Sequence, residues 1–287
     1  MLGRTEVYSS SNLTEALEIL ASKKPVVIAG GTDILVQIKG RVIPIPKNIL
    51  DIDSIKSLRF IKKKRNKIVI GPLVTYEDIL NSELLREFTP HLFQAAYEVG
   101  APQIRSRGTI GGNIVNASPA GDSIPPLYTL NTDLTLKSVK GERKVNISKF
   151  FKGPRKTSLR KNELLTEIEF EIPKGKTFSF FKRLGTRKAL AIAKVSVAGQ
   201  LLIADGLIKS ASIALGSVGP TVIYSPSSEK ALVGNEMNDS IIRIAVKKVM
   251  EDCTPIDDIR SEAEYRKAMV GVLLENGLNE ILSKLNG

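Results

Sequence analysis

Arg107-Gly108-Thr109-Ile110-Gly111-Gly112-Asn113 is the stretch on which the fold reading turns. It runs on through Ile-Val-Asn-Ala to Ser118, and through Pro-Ala-Gly to Asp122. Glycines let backbone N–H groups turn inward and approach an anion with no Cβ in the way. Thr109, Asn113 and Ser118 add polar donors, and Asp122 adds a carboxylate. A dinucleotide needs that mixture: donors for its pyrophosphate and an acceptor for ribose or base edges. A purely structural glycine-rich loop is the alternative reading of this segment.

A second loop of the same character lies upstream, in Val27-Ile28-Ala29-Gly30-Gly31-Thr32-Asp33-Ile34. An apolar strand runs into paired glycines, then a hydroxyl and a carboxylate. It lacks the G-x-G-x-x-G spacing of a Rossmann unit, and no Walker lysine follows. Alone it reads as a tight turn; together the two loops point to a bound dinucleotide.

Around these loops the pattern is mixed. Asn12-Leu-Thr-Glu15 has capping-box spacing, and Leu13, Leu17 and Leu20 recur on one helical face. Strands are expected at 26–29 and 48–52, closing a small unit at residue 53. A hairpin over 58–70 opens a second unit, with helices expected near 75–81 and 89–99 and an irregular stretch over 101–122. A stretch of that length without secondary structure is uncommon and usually functional. Strands are expected at 133–139, 145–147 and 164–172. Pro173-Lys-Gly-Lys176 marks a boundary. Beyond it come antiparallel strands at 178–182, 193–203 and 207–215, with Asp205-Gly206 as a hairpin turn. Helices over 227–233, 239–252 and 261–284 end the chain, the last interrupted at Gly277, with Tyr265, Met269, Val272 and Leu273 as its core face. The class is α+β, divided at 1–53, 54–173 and 176–287.

Composition narrows the chemistry. The 287 residues carry 42 Lys and Arg against 30 acids, a net charge of +12, with one cysteine and one histidine. Cys253 alone excludes a disulfide framework and an iron–sulfur cluster held by this chain. It is expected to be a buried or half-buried thiol. A multi-histidine metal site is excluded too, and no metal-ligating or catalytic acid–base set is expected. His91 is read as a surface or capping residue. The densest basic run, Lys62-Lys-Lys-Arg65, would suit phosphate contacts but is read as a solvated hairpin tip. No apolar run is long enough to span a bilayer and the N-terminus has no apolar signal core, so a cytoplasmic protein is expected.

Ala29-Gly-Gly-Thr-Asp33 and Thr109-Ile-Gly-Gly-Asn113 resemble the two flavin-binding motifs of the molybdenum hydroxylase family, and the chain as a whole resembles its FAD-binding medium subunit. Gly100-Ala-Pro-Gln-Ile-Arg105, Phe150-Phe-Lys-Gly-Pro154 and Glu163-Leu-Leu-Thr-Glu-Ile168 match the family's middle. Leu215-Gly-Ser-Val-Gly-Pro220 and Asp258-Ile-Arg-Ser-Glu-Ala-Glu-Tyr-Arg266 match its C-terminal domain. The resemblance implies a two-subdomain FAD-binding fold of the vanillyl-alcohol-oxidase type plus a C-terminal α+β domain. By motif, the backbone of Ala29 to Ile34 and Thr109, Gly111, Gly112 and Asn113 would hold the FAD pyrophosphate, with Val27 and Ile28 also among the cofactor-binding residues. Ser118 lies on the same loop, and Asp122 would accept from the dinucleotide. Leu165 would pack beside the cofactor and Lys182 would reach the flavin end.

The implied role is electron transfer. Substrate would be hydroxylated at molybdopterin on a large subunit, [2Fe–2S] clusters on a small subunit would relay electrons, and this chain would pass them to an external acceptor. Between Leu184 and Ala191 there is none of the acid that eukaryotic xanthine dehydrogenases carry there, so NAD as acceptor lacks that support. A stand-alone flavin oxidase and a basic nucleic-acid-binding or assembly protein are the alternatives.

Overall fold

The computed structural model describes residues 4–187 and 191–286. The first unit is a small parallel sheet of β1 (Glu6–Ser9), β2 (Val26–Ile28) and β3 (Asn48–Asp51), with β3 in the middle. Helix α1 (Leu13–Lys23) connects the first two strands. Asn12 caps it, accepting from the amides of Thr14 and Glu15, while the Glu15 carboxylate takes the Ser10 hydroxyl at 2.6 Å. Leu17 and Leu20 go into a core with Leu50, Ile55 and Leu58. Helix α2 (Ile34–Lys39) follows β2 and buries none of its residues.

The second unit is a five-stranded antiparallel sheet, β4-β5-β10-β6-β7 in spatial order. Its strands are β4 (Ile61–Lys64), β5 (Lys67–Ile70), β6 (Asp133–Ser138), β7 (Gly141–Asn146) and β10 (Leu164–Glu171). A short pair, β8 (Phe151–Gly153) and β9 (Lys156–Thr157), projects before β10. The basic run forms the outer strand and turn of the hairpin. The strand expected from residue 58 begins at Ile61, because Lys56–Leu58 winds as a 3-10 turn that buries Leu58. Helices α3 (Tyr76–Leu80), α4 (Glu83–Phe88) and α5 (Pro90–Glu98) precede the glycine-rich segment.

That segment is not irregular. It holds α6 (Pro102–Arg105) and α7 (Ile110–Asn116), and leads to α8 (Ile124–Thr129). Thr109 caps α7, its hydroxyl accepting from the Gly112 amide at 3.0 Å. Ile110 and Ile114 are fully buried, so tertiary packing holds a helix that two glycines alone would not favour. Helix α9 (Ile147–Phe150) follows β7.

His91 departs from the surface expectation. It is fully buried on α5, its Nε2 3.0 Å from the Thr129 hydroxyl, and burial lowers its pKa to about 4. A single polar residue in an apolar helix pattern did not reveal that α8 would cover it.

The third unit is an antiparallel sheet, β11 (Thr177–Leu184), β12 (Val195–Ala204), β13 (Leu207–Gly216) and β14 (Ile223–Tyr224), in that order. Asp205 and Gly206 turn between β12 and β13 with φ of 52° and 74°. Helices α10 (Pro226–Leu232), α11 (Asp239–Val249) and α12 (Ala263–Asn286) complete it. Helix α12 runs without a break through Gly277. A Cβ there would sit 2.2 Å from the Phe180 ring, so glycine serves close approach, not a kink. Its buried face is Val270, Leu273, Leu274, Leu278 and Ile281, whereas Tyr265 and Val272 are exposed. Cys253 is buried, and its thiol, bonded to the Val249 carbonyl, is pushed up to about 12 by burial.

The third unit docks on the second through α5 and α8. The Phe181 amide donates to Gln94 Oε1 at 3.0 Å, and the Ser217 amide to the Pro119 carbonyl at 2.9 Å. None of the described helices is long and apolar enough to cross a membrane.

Candidate functional site

The first glycine loop leaves β2 at Ile28, whose carbonyl is held by the Ile52 amide at 3.0 Å. Val27 and Ala29 pack against the first unit's core. Gly31 then takes φ of +73°, a conformation that costs an L-residue about 1–2 kcal/mol. The loop turns into α2, where the Leu35 amide reaches back to the Gly31 carbonyl. Among the described residues, no backbone carbonyl accepts from the amides of Gly30, Gly31, Thr32 or Asp33. A turn of successive unspent N–H groups is an anion-binding arrangement. Asp33 accepts from Gln37, and Arg155 approaches it at 3.4 Å while also donating to Asn116 at 3.1 Å.

The second loop is in contact with the first. A Cβ on Gly30 would lie 1.7 Å from the Arg107 carbonyl oxygen, so the two backbones touch where only glycine fits. Here the amides are already engaged. Ile110 donates to Val74 at 2.9 Å, Gly111 to Pro72 at 3.0 Å, and Asn113 to the Thr109 carbonyl at 3.0 Å. The Asn113 Oδ1 accepts from the Ser123 hydroxyl at 2.9 Å, and that hydroxyl lies 3.2 Å from the Tyr76 hydroxyl. Ala117 ends α7 at φ of +50°, and Ser118 Oγ accepts from the Ala120 amide. Leu165 is buried on β10 in the same core as Ile110 and Ile114.

Asp122 follows this loop and is almost wholly buried. Its Oδ2 takes Arg183 Nη1 at 2.5 Å, and its Oδ1 has no hydrogen-bond partner among the described residues. Burial pushes the carboxyl up to about 7, against the pull of Arg183 and with a further push from Glu98. Arg183 also meets Glu98 at 3.2 Å. Lys182, next along β11, lies on the other face, with its ammonium 2.6 Å from Glu280 of α12. Between α5 and β11 lies a cleft of about 380 Å³, lined by Phe93, Tyr97, Glu98, Phe181, Lys182 and Arg183.

The structure sets Gly30 against Arg107 at the start of the second loop and Thr32 beside Gly108, and places Asn113 against Gly121 and Ser123, the neighbours of Asp122, while Leu165 shares a core with Ile110 and Ile114. It does not bring the Lys182 ammonium to them. Sequence reading missed Arg183 and Arg155. The signal for Arg183 was strand alternation: if Phe180 faces the core, Lys182 shares its side and Arg183 the opposite one. Residues 188–190, within the acid-free stretch 184–191, lie outside the described residues. No cluster of metal-ligating side chains occurs among the described residues.

Comparison with known proteins covers nearly the whole chain. Residues 3–174 match the FAD binding domain in molybdopterin dehydrogenase, and residues 179–281 match the CO dehydrogenase flavoprotein C-terminal domain. The nicotinate dehydrogenase FAD-subunit of Eubacterium barkeri is 32% identical over 98% of this chain and 97% of its own. The glyceraldehyde dehydrogenase medium chain of Sulfolobus acidocaldarius is 33% identical, over 95% of this chain and 96% of its own. A structure of carbon monoxide dehydrogenase from Hydrogenophaga pseudoflava, lacking the Mo-pyranopterin moiety of its cofactor, superposes with a TM-score of 0.92 at 28% identity, over 97% of each chain.

Proposed function

Because the chain belongs to the family of FAD-binding medium subunits of molybdenum hydroxylases, we propose that it is the flavin-holding electron-transfer subunit of such a complex. The observation that carries this reading is the row of unspent amides from Gly30 to Asp33, with the unpartnered Asp122 Oδ1 near the adjoining loop. Donors for a pyrophosphate and an acceptor for a hydroxyl or N–H suit a dinucleotide.

The FAD-binding part is residues 1–53 and 54–173 together, with 176–287 as the C-terminal domain. The first loop holds the pyrophosphate through backbone N–H groups, whose dipoles are already oriented and lose little on binding. The second loop backs it: Thr109, Gly111, Gly112 and Asn113 set its shape, and Leu165 gives it an apolar floor. Lys182 reaches the flavin end by leaving its Glu280 partner, and a cation there stabilises negative charge on the reduced ring. Bound FAD supplies the redox chemistry, taking electrons one or two at a time, and the chain binds, orients and shields it.

Electrons come from [2Fe–2S] clusters on a partner subunit and originate at molybdopterin on another; an external acceptor takes them away. The single cysteine is buried and hydrogen-bonded, so the cluster thiolates are supplied by other chains. The complex works in the cytoplasm.

The test is to incubate the purified chain with FAD, desalt it and record the flavin absorbance. A retained flavin band is expected. In Gly31→Val, strained at its positive φ and crowding the amide row, affinity should fall at least ~10-fold, or about 1.4 kcal/mol. A chain that keeps no flavin, alone or with its partner subunits, would end the proposal.

A further inference from the structure

Asp122 is buried with an odd division of labour. One carboxylate oxygen is bound at 2.5 Å by Arg183, itself only 4% exposed in its side chain, and the other is buried with no partner among the described residues. The two residues belong to different units. Asp122 follows the second glycine loop, and Arg183 comes from β11 of the C-terminal sheet. A buried carboxylate with one orphaned oxygen is expensive unless something donates to it. Asp122 is tied to the loop through its neighbour, since Ser123 donates to Asn113 and meets Tyr76.

We propose that Arg183 is the positioning residue for Asp122, holding one oxygen so that the other remains a charged acceptor for a hydroxyl or N–H donor of the bound dinucleotide. Through Arg183 the C-terminal domain thereby takes part in cofactor binding at a residue that does not itself touch the cofactor. This rests on the FAD reading given above.

The charges around Asp122 set the behaviour. Arg183 on β11 favours the ionised form, and Glu98 on α5 opposes it. Tyr76 on α3 faces the same pocket, and burial keeps its hydroxyl protonated. Lys182 points to the other side of β11, toward Glu280. Desolvation works against the carboxylate, so its ionisation depends on Arg183. An ionised acceptor makes the stronger hydrogen bond, so FAD affinity should rise with pH as Asp122 loses its proton.

The test measures FAD affinity by flavin fluorescence from pH 5.5 to 9 on the full chain, with a melting temperature for each variant. In the wild-type protein the affinity should rise through about pH 7. Arg183→Met should weaken binding at pH 7 by at least ~10-fold. It should also move the rise upward by roughly 1–3 pH units, and Arg183→Lys should recover most of both. Glu98→Gln should move the rise the opposite way, to lower pH. In an Asp122→Asn background the pH dependence should vanish and Arg183→Met should have no further effect.

A folded Arg183→Met with wild-type affinity and pH profile would overturn the proposal. So would an Arg183 effect that persists undiminished beside Asp122→Asn. If Arg183→Met does not fold, the Glu98→Gln shift decides: an unchanged profile overturns the proposal. A wild-type chain that binds no FAD at any pH overturns the underlying FAD reading instead.

Discussion

The two glycine loops have similar composition and different work. In the first, the amides of Gly30 to Asp33 have no backbone partner among the described residues, and the helix that follows buries nothing. In the second, the amides from Ile110 to Asn113 are already bonded, and Ile110 and Ile114 are fully buried. One loop leaves its amides without backbone partners; the other has become part of the core. Pairs of glycines thus mark two different needs: donors facing outward, and backbones that must touch.

The contact between the loops should give the largest effect. In Gly30→Ala the new methyl would meet the Arg107 carbonyl within 1.7 Å, backbone against backbone. Destabilisation of about 3 kcal/mol or more is expected, with loss of FAD binding, read by chemical denaturation and flavin titration. A stable, FAD-binding Gly30→Ala would show that the loops can separate at little cost.

Acid should sharpen the contrast next. Unfolded His91 takes a proton near pH 6.5, while the buried residue resists until about pH 4. Its neutral form therefore favours folding fully above pH 6.5, and that stability is lost as pH falls through this window. The loss amounts to about 3 kcal/mol, and His91→Gln should flatten it. Hydrogen exchange, corrected for its intrinsic pH dependence, should show the amides of Gly111 to Asn113 losing protection in step. The amides of Gly30 to Asp33 in the unliganded chain should be unprotected throughout.

The smallest effect comes from the cap. Thr109→Val removes the acceptor for the Gly112 amide and should cost about 1 kcal/mol of stability, measured by urea denaturation. Its FAD affinity should fall less than that of Gly31→Val. The reverse order would mean that the second loop, not the first, is the anion cradle.

Much of this architecture was legible. The hairpin at Asp205-Gly206 and the strand at 164–171 follow from turn chemistry and alternation, which are local. The helix over 110–116 was not legible, because glycines disfavour it and only burial of Ile110 and Ile114 holds it. His91 was hidden for the same reason: its covering element, α8, lies far along the chain. Glycine loops pointed to the candidate site, but the division between spent and free amides depends on Pro72 and Val74, outside either motif. Arg183 was obscured by its neighbour Lys182, which the family resemblance favours; strand geometry separates the two.

One feature bears on how the protein survives at high concentration. β4 is the outer strand of the five-stranded sheet, and its residues Lys62, Lys63 and Lys64 are exposed. An open strand edge is a template on which another chain can add, the first step toward aggregation. Crowded like charges repel an incoming strand, and lysine is the residue most used to blunt such edges. The basic run that would also suit phosphate contacts is thus placed to keep copies of the chain apart.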